Sequence, residues 1–226
     1  MSTEPDRRFE LKFSLDQHQL PQARSWLWLN PAGFRPTYSP RFVNSIYFDT
    51  PDLGNLNANL AGITLRQKIR LRWYGDLGDE VDGPILELKF KKNLLGGKKR
   101  LELPLTLALS APWTTLLQNL QEQVPAEWQA YLATNTRPTV LVRYWREYYA
   151  TADGRIRATL DYKQQSFGQK LAMRPNRTYP LNLAYRPVIE IKAGLPEEAR
   201  LQEITASIPV GRSRNSKYVN GTIAEW

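Results

Sequence analysis

The chain has 226 residues, of which 42% are hydrophobic and 23% are charged, and 31 Lys and Arg against 22 Asp and Glu give a formal net charge of +9 at pH 7. This composition predicts one globular domain over residues 1–226, long enough to bury a hydrophobic core. With no cysteine and one histidine, the chain can form no disulfide, no thiolate zinc site and no histidine-rich metal site.

The sequence contains no candidate targeting or membrane segment. Residues 1–8 are polar, and no apolar run approaches the roughly 18 residues that cross a bilayer. We therefore expect a cytoplasmic protein, for which any contact with a membrane would be made through a separate partner. The positive charge favours an anionic ligand such as nucleic acid, acidic lipid or a phosphate compound.

Most of the chain is predicted to be β-structure, because eight segments alternate polar and apolar residues with a period of two. These segments are residues 9–15, 43–49, 65–74, 85–92, 98–103, 139–149, 155–162 and 187–192. Helical spacing predicts helices over residues 16–29, 112–124, a segment opened by Pro125, and 196–208. Turn-rich connections at 75–84 and 93–97 favour an antiparallel meander. The expected fold class is α+β.

The predicted strands collect charge on one face. Side chains alternate between the two faces of a strand, so Arg66, Lys68, Arg70 and Arg72 would line one face of a single strand. Other strands repeat this segregation, with carboxylates among the cations. The charged residues concerned are Glu10, Lys12, Glu87, Lys89, Lys91, Arg146, Arg157, Glu190 and Lys192.

Two interpretations of this charged face are possible. A half-buried sheet with its polar face in water is common, but such a face usually mixes charges of both signs with Thr, Ser, Gln and Asn. Gathering this many cations costs electrostatic repulsion, which a polyanion would relieve. If the sheet closes into a barrel with the charges inside and the helices outside, it forms a cationic tunnel for a chain of phosphates. Glutamates inside would stay ionised and free to bind a hard metal ion.

Several motifs resemble the catalytic domain of the vacuolar transporter chaperone (VTC) polyphosphate polymerases, within the triphosphate tunnel metalloenzymes. Their number and order make the resemblance specific, and it covers nearly the whole chain. The motifs are Arg8-Phe9-Glu10-Leu11-Lys12, Ser45-Ile46-Tyr47-Phe48-Asp49-Thr50, Lys68-Ile69-Arg70-Leu71-Arg72-Trp73-Tyr74-Gly75, Leu86-Glu87-Leu88-Lys89, Lys98-Lys99-Arg100, Tyr144-Trp145-Arg146, Arg157-Ala158-Thr159-Leu160-Asp161, Ile189-Glu190-Ile191-Lys192 and Ser216-Lys217-Tyr218. The resemblance implies an eight-stranded antiparallel β-barrel that binds ATP, inorganic triphosphate and polyphosphate with Mn²⁺ or Mg²⁺.

The resemblance also implies roles for individual residues. The residues expected to contact the reacting phosphates are Lys12, Arg70, Arg72, Lys89, Arg146, Arg157 and Lys217. Further phosphate contacts are expected from Arg66, Lys68, Lys91, Lys98, Lys99, Arg100 and Lys192. The metal is expected on Glu190, helped by Glu10 or Glu87, for which simple pairing with neighbouring cations is the alternative. The tyrosines Tyr47, Tyr144 and Tyr148 are expected in the core, although a nucleotide base at the tunnel mouth could use one.

The sequence departs from other tunnel enzymes at its first motif. Those enzymes begin with Glu-x-Glu-x-Lys, whereas this chain has Arg8 in place of the first carboxylate. The change points towards the VTC-type branch and away from the adenylate cyclase–thiamine triphosphatase branch. The chain also lacks the inositol-phosphate sensor domain and the transmembrane helices of the eukaryotic assemblies, so we expect a stand-alone bacterial form.

Three functions remain open at this point. The first is a polyphosphate polymerase that moves the ATP γ-phosphate onto polyphosphate and releases ADP. The second is a hydrolase of inorganic triphosphate or polyphosphate, which would need the same cations and metal. The third is a non-catalytic polyphosphate-binding module. The sequence shows no RNA-recognition signature or helix-turn-helix, so we expect no specific nucleic-acid partner.

Overall fold

The fold combines a large antiparallel sheet with short helices, as seen in a computed structural model that describes residues 8–92, 95–208 and 210–225. The strands in these ranges are β1 (Arg8–Ser14), β2 (Arg35–Asp49), β3 (Arg66–Tyr74), β4 (Glu80–Asp82), β5 (Ile85–Lys92), β6 (Leu95–Glu102), β7 (Thr106–Ala108), β8 (Arg137–Ala150), β9 (Ile156–Gly168) and β10 (Val188–Gly194). The α-helices are α1 (Leu20–Leu29), α2 (Gly54–Leu60), α3 (Trp113–Gln123), α4 (Ala126–Thr134), α5 (Glu198–Ala206) and α6 (Lys217–Ile223).

The eight strands predicted from alternation are all present and form one sheet. Its strand order is β1-β10-β9-β8-β2-β3-β5-β6, and every neighbouring pair is antiparallel. The sheet curls strongly. Lys89 on β5 lies 3.0 Å from Glu10 on β1, although these two strands stand near opposite ends of the strand order, and only a curled sheet brings them together. The predicted α+β fold with an eight-stranded antiparallel sheet is confirmed. The predicted barrel has the form of a strongly curled half-barrel, because β1 and β6, at the two ends of the strand order, do not pair with each other in the described residues.

The elements outside the predicted segments include two short strands, β4 and β7, and the helix α2. Strands β4 and β7 pair only with each other, and β4 lies inside the segment that we expected to be a turn-rich connection. Three residues are too few to show a period. Helix α2 begins where the Asp49 carboxylate accepts hydrogen bonds from the backbone N–H groups of Asn55 and Leu56, at 2.9 and 3.0 Å. Such capping satisfies donors that a short helix would otherwise leave unpaired.

The convex face of the sheet is apolar and is covered by helices. Side chains of β3 and β5 such as Leu71 and Leu88 pack against Trp113 and Leu116 of α3. Around β9 and β10, a second cluster includes residues of α1 and α5. Burial of these apolar side chains is the main contribution to stability, so the predicted placement of helices outside the sheet follows from the hydrophobic effect.

Part of the concave face is covered by α2 and α6. There Tyr218 packs with Tyr47 and with Val140 and Val142 of β8. Helix α6 approaches β8 closely at Gly221, where an added Cβ would lie 2.9 Å from a Val140 methyl group. None of the helices in the described ranges has the length and apolar character needed to span a bilayer.

Candidate functional site

Strand register brings the predicted charged faces together on one surface, because side chains of directly opposed residues lie on the same face of a sheet. The opposed pairs are Lys12 with Glu190, Glu10 with Lys192, Lys192 with Arg157, Arg146 with Asp161, Arg70 with Glu87, Lys68 with Lys89, Lys89 with Lys98, and Glu87 with Arg100. We call the surface that these residues form the charged concave face. The charges come from strands that are distant in sequence and adjacent in the sheet.

Glu87 is the central counter-ion of one half of this face. Its side chain is 2% exposed, and its carboxylate lies 2.6 Å from the Arg70 guanidinium and 3.3 Å from that of Arg72. Lys98 and Arg100 of β6 also contact it. Burial alone would raise the pKa of Glu87, but Arg70, Arg72 and Lys98 hold it well below the ordinary value. These contacts favour the ion-pair alternative for Glu87 over metal binding.

Tyr47 joins the same cluster, although we expected it either in the core or in contact with a nucleotide base. Its buried hydroxyl accepts a hydrogen bond of 2.9 Å from Arg70. Burial would raise the pKa of Tyr47, but the charges of Arg70 and Arg72 outweigh it and lower the pKa to about 8. A signal for this role was present in the alternation, because Tyr47 and Ser45 have the same parity on β2 and lie opposite Arg70 and Arg72.

Asp161 organises the other half of the face. Both oxygens of this carboxylate, 2% exposed, accept hydrogen bonds from Arg146, at 2.6 and 2.7 Å, and Lys217 of α6 lies at 2.7 Å. Burial would raise the pKa of Asp161, whereas Arg146 and Lys217 lower it below the ordinary value. Asp161 was part of a quoted motif but received no role, because a single carboxylate in a strand does not reveal its partners.

Glu10 and Glu190 form a third group with lysines. Lys12 lies 3.1 Å from Glu10 and 3.6 Å from Glu190. Glu10 also pairs with Lys89, and Glu190 pairs with Lys192. Burial and the proximity of Glu190 raise the pKa of Glu10, but the lysines lower it to about 2. Both carboxylates are therefore ionised at neutral pH.

The donor set of Glu10 and Glu190 fits a hard divalent cation. Mg²⁺ is commonly held by one or two carboxylates together with substrate phosphates and water, and Mn²⁺ also prefers oxygen ligands. Among the described residues, no group of three or more His, Asp or Glu side chains is arranged to hold a metal unaided. The protein would thus supply two carboxylates, and phosphate oxygens would complete the coordination.

The remaining predicted phosphate contacts differ in their surroundings. Lys68 donates a hydrogen bond to Ser216 at 3.0 Å, and burial with nearby cations lowers its pKa to about 8. Arg157 is exposed and makes no ion pair with another described residue. Arg66 lies at the outer end of β3, where its guanidinium contacts the Ile63 carbonyl at 3.4 Å.

One predicted residue stands apart from the group, and the side chain of another lies outside the described part of the structure. Lys99 points away from the charged concave face, because it pairs with Glu127 of α4 on the convex side. Lys98, its neighbour, takes the inward position against Glu87. For Lys91 only the backbone is described, and it lies opposite Arg66 in the register of β3 and β5.

Comparison with known proteins supports this picture. A family model, the VTC domain, matches residues 7–224. No curated protein sequence matches the chain. Among solved structures, a Vibrio parahaemolyticus protein described as an adenylate cyclase candidate is 12% identical with a TM-score of 0.53, covering 95% of this chain and 97% of its own.

Two further structures share the fold. A Hippeastrum protein, described as an adenylyl cyclase candidate with a dominant triphosphatase activity, is 16% identical with a TM-score of 0.50 and 92% coverage of both chains. The PH1819 protein from Pyrococcus horikoshii OT3 is 14% identical with a TM-score of 0.50 and 96% coverage of both chains. At these identities the likeness concerns the fold. Because the family match extends over nearly all of its length, the chain belongs to the VTC domain family.

Proposed function

We propose that this protein is a metal-dependent polyphosphate polymerase that transfers the γ-phosphate of ATP to a polyphosphate chain and releases ADP. The observation that carries the proposal is the charged concave face, on which ammonium and guanidinium groups far outnumber carboxylates. A surface of this charge binds a polyanion because the ligand relieves the repulsion among the cations. Membership of the VTC domain family supports the same substrate class.

Phosphoryl transfer mainly requires that the protein position the reactants and place positive charge around the transferred group. Arg70 and Arg146 meet this need because Glu87 and Asp161 hold their guanidinium groups in fixed orientations. A planar guanidinium donates paired hydrogen bonds to phosphate oxygens, which an ammonium group cannot do. Groups that are already oriented lose little freedom when the reaction occurs.

Glu10 and Glu190 would hold the metal ion. When bound, a divalent ion in such a site neutralises charge on the phosphate oxygens and orients them. The lysines that now pair with these carboxylates, Lys12, Lys89 and Lys192, would then be released to contact phosphate. The same lysines would therefore neutralise the carboxylates in the free protein and bind phosphate once the metal ion and substrate are present.

The carboxylates of the concave face favour transfer over hydrolysis. A hydrolase benefits from a general base that activates water, and a good base has a pKa near the working pH. Glu10, Glu87, Asp161 and Glu190 are each paired with two or more cations, and each has a lowered pKa. They are consequently weak bases. Arg8, two residues before Glu10, adds a cation where other tunnel enzymes have a carboxylate.

A hydrolase of inorganic triphosphate is the second candidate. The Hippeastrum protein with a dominant triphosphatase activity shares the fold, which favours this candidate. Hydrolysis would use the same cations with water in place of the phosphate acceptor. The two functions differ in their products and not in their phosphate contacts.

A ³¹P NMR time course distinguishes the candidates. The purified protein with Mg²⁺, which unlike Mn²⁺ does not broaden ³¹P signals, is given ATP in one sample and tripolyphosphate in another. We expect mid-chain phosphate signals and ADP from ATP. Orthophosphate and pyrophosphate from tripolyphosphate alone would make the protein a hydrolase. The double variant Arg70→Ala, Arg72→Ala is the matched control and should be inactive in both samples. If neither sample changes while tripolyphosphate still binds, the protein is a binding module.

A further inference from the structure

Three tyrosines surround Arg41 at the end of the sheet where β3 stops. The Arg41 guanidinium carbon lies 4.3 Å from the ring centroid of Tyr74, 5.3 Å from that of Tyr148 and 6.0 Å from that of Tyr38. The rings of Tyr38 and Tyr148 meet edge to face with centroids 5.6 Å apart. We call these four residues the tyrosine platform.

Two irregularities in β2 assemble the platform. The register between β2 and β8 shifts between Pro36 and Tyr38 and again between Tyr38 and Arg41. As a result Tyr38 lies opposite Tyr148, and Arg41 lies opposite Arg146. Residues three apart in a regular strand point to opposite faces, so the shift is what places Tyr38 and Arg41 together.

The platform is accessible to a ligand. The side chain of Tyr38 is 64% exposed and that of Tyr74 is 39% exposed. Arg41 is also exposed, and its only polar contact among the described residues is a long hydrogen bond of 3.5 Å to the Tyr148 hydroxyl. The clustering of Arg41 with the three tyrosines is therefore explained neither by burial in the core nor by an ion pair. Aromatic rings and guanidinium planes are, however, the groups on which nucleobases stack.

The platform adjoins the phosphate contacts. Arg146, directly opposite Arg41, is held by Asp161 beside Lys217. Opposed residues of an antiparallel pair have Cα atoms about 4.5–5.5 Å apart. A ligand whose phosphates contact Arg146 would therefore extend its next group over the platform. A nucleoside triphosphate has this shape, with a planar base joined by a sugar to its phosphates.

We infer that the tyrosine platform is a base-binding subsite that selects a nucleoside triphosphate over inorganic triphosphate. The base stacks on Tyr38 and Tyr74, and Arg41 lies between the base and the first phosphate. This inference rests on the proposed function, because it requires the triphosphate to lie on the charged concave face. It adds the residues that recognise the nucleoside end of the phosphate donor.

The test compares two ligands by isothermal titration calorimetry in EDTA, where no turnover occurs. The double variant Tyr38→Ala, Tyr74→Ala should bind ATP about tenfold more weakly than the unaltered protein, since each stacked base contributes substantially to affinity. Its affinity for tripolyphosphate should stay within about twofold, because the ligand has no base. The double variant Tyr38→Phe, Tyr74→Phe should keep ATP affinity, because stacking needs the ring and not the hydroxyl.

A matched control replaces Tyr179, a still more exposed tyrosine in the connection before β10, by Ala. This variant should bind both ligands normally, and thermal melting should show that all variants are folded. Equal weakening of ATP and tripolyphosphate, or no weakening of either, would overturn the platform and leave the proposed function standing. If the unaltered protein binds neither ligand, the proposed function fails and the platform fails with it.

Discussion

The hydroxyl of Tyr218 donates a hydrogen bond to the fully buried carboxylate of Asp49, 169 positions earlier in the chain. Burial and the neighbouring carboxylate raise the pKa of Tyr218 well above its ordinary value, so the hydroxyl remains a donor. Asp49 also caps α2. The contact therefore ties α6 to the end of β2, and it fixes Lys217, the residue before Tyr218, beside Asp161.

Removing the hydrogen bond between Tyr218 and Asp49 should weaken ligand binding, although neither residue contacts the ligand. We expect Tyr218→Phe to lower the free energy of unfolding by about 1–2 kcal/mol, because Asp49 Oδ2 loses one of its two donors and keeps only the Leu56 N–H. Tripolyphosphate affinity should fall as Lys217 becomes less well positioned. Urea unfolding and calorimetry measure the two effects, with Tyr131→Phe on α4 as the control. Lost stability with unchanged affinity would show that Lys217 is positioned by other contacts.

Replacing Glu87 by Gln should destabilise the free protein. The substitution leaves Arg70, Arg72, Lys98 and Arg100 facing one another without their shared counter-ion. Removing one partner of a buried ion pair typically costs about 3 kcal/mol or more. Tripolyphosphate should raise the melting temperature of Glu87→Gln more than that of the unaltered protein, because it replaces the missing negative charge.

The control for Glu87 is Glu102→Gln on the same pair of strands. Glu102 is mostly exposed and lies 3.9 Å from Arg100. Exposed pairs contribute about 0–1 kcal/mol, so this variant should unfold almost like the unaltered protein. Similar losses in both variants would mean that Glu87 has no special role in holding the arginines.

Substitutions of Arg157 and Arg146 should affect tripolyphosphate affinity and the free energy of unfolding differently. Arg157 is exposed and has no carboxylate partner among the described residues, so Arg157→Ala should leave the free energy of unfolding within about 0.5 kcal/mol. Its tripolyphosphate Kd should rise about tenfold, equal to about 1.4 kcal/mol. Arg146→Ala should weaken binding and also destabilise the fold, because Asp161 keeps only Lys217. Normal binding by Arg157→Ala would remove Arg157 from the site.

Stability and ATP affinity should change in opposite directions between pH 7.5 and 9.5. Burial lowers the pKa values of Lys68 and Lys98 to about 8 from the ordinary 10.5, and nearby cations lower that of Tyr47 to about 8 from 10.0. Above pH 8 the folded protein has released these protons while the unfolded chain still binds them. The free energy of unfolding therefore rises with pH in this window.

ATP affinity should fall over the same window because Lys68 and Lys98 lose their charge. A terminal phosphate with a pKa of about 6 is ionised throughout, so the ligand does not cause the change. Denaturation and calorimetry at both pH values provide the measurement. The double variant Lys68→Arg, Lys98→Arg stays charged and should show a clearly smaller fall in ATP affinity, with only the part due to ionisation of Tyr47 remaining. An equally steep fall in this variant would assign the effect to other groups.

Substitution of Glu190 should lower metal-dependent turnover without weakening the metal-free binding of tripolyphosphate. We expect Glu190→Gln to lower turnover with Mn²⁺ at least about tenfold, because a metal ligand is lost. In EDTA, tripolyphosphate affinity should be equal or higher, since a negative charge has been removed from the concave face. Glu198→Gln, an exposed position on α5, is the control. Weaker binding in EDTA would instead indicate that Glu190 mainly positions Lys12 and Lys192.

Alternation along the chain was sufficient to predict the strands and their charged faces, since the side-chain period of a strand is a local property. It did not decide which of Lys98 and Lys99 faces inward, since both were expected to contact phosphate. Pairing with Lys89 across β5 and β6 decided that. The helices α2 and α6 are stabilised by contacts with Asp49 and the concave face, which alternation does not encode, although Ser216 caps α6 locally by accepting a hydrogen bond from the Val219 N–H.

The sequence by itself determined the α+β class, the eight long strands and the cationic character of one sheet face. Only the tertiary structure decided which carboxylate meets which cation, because Asp161 and Lys217 lie 56 positions apart and meet through α6. It also decided the tyrosine platform, since irregular register in β2 breaks the period of two that joins local sequence to a face. Charge and polar–apolar alternation are properties of neighbouring residues in the sequence, whereas ion pairing depends on strand order and register.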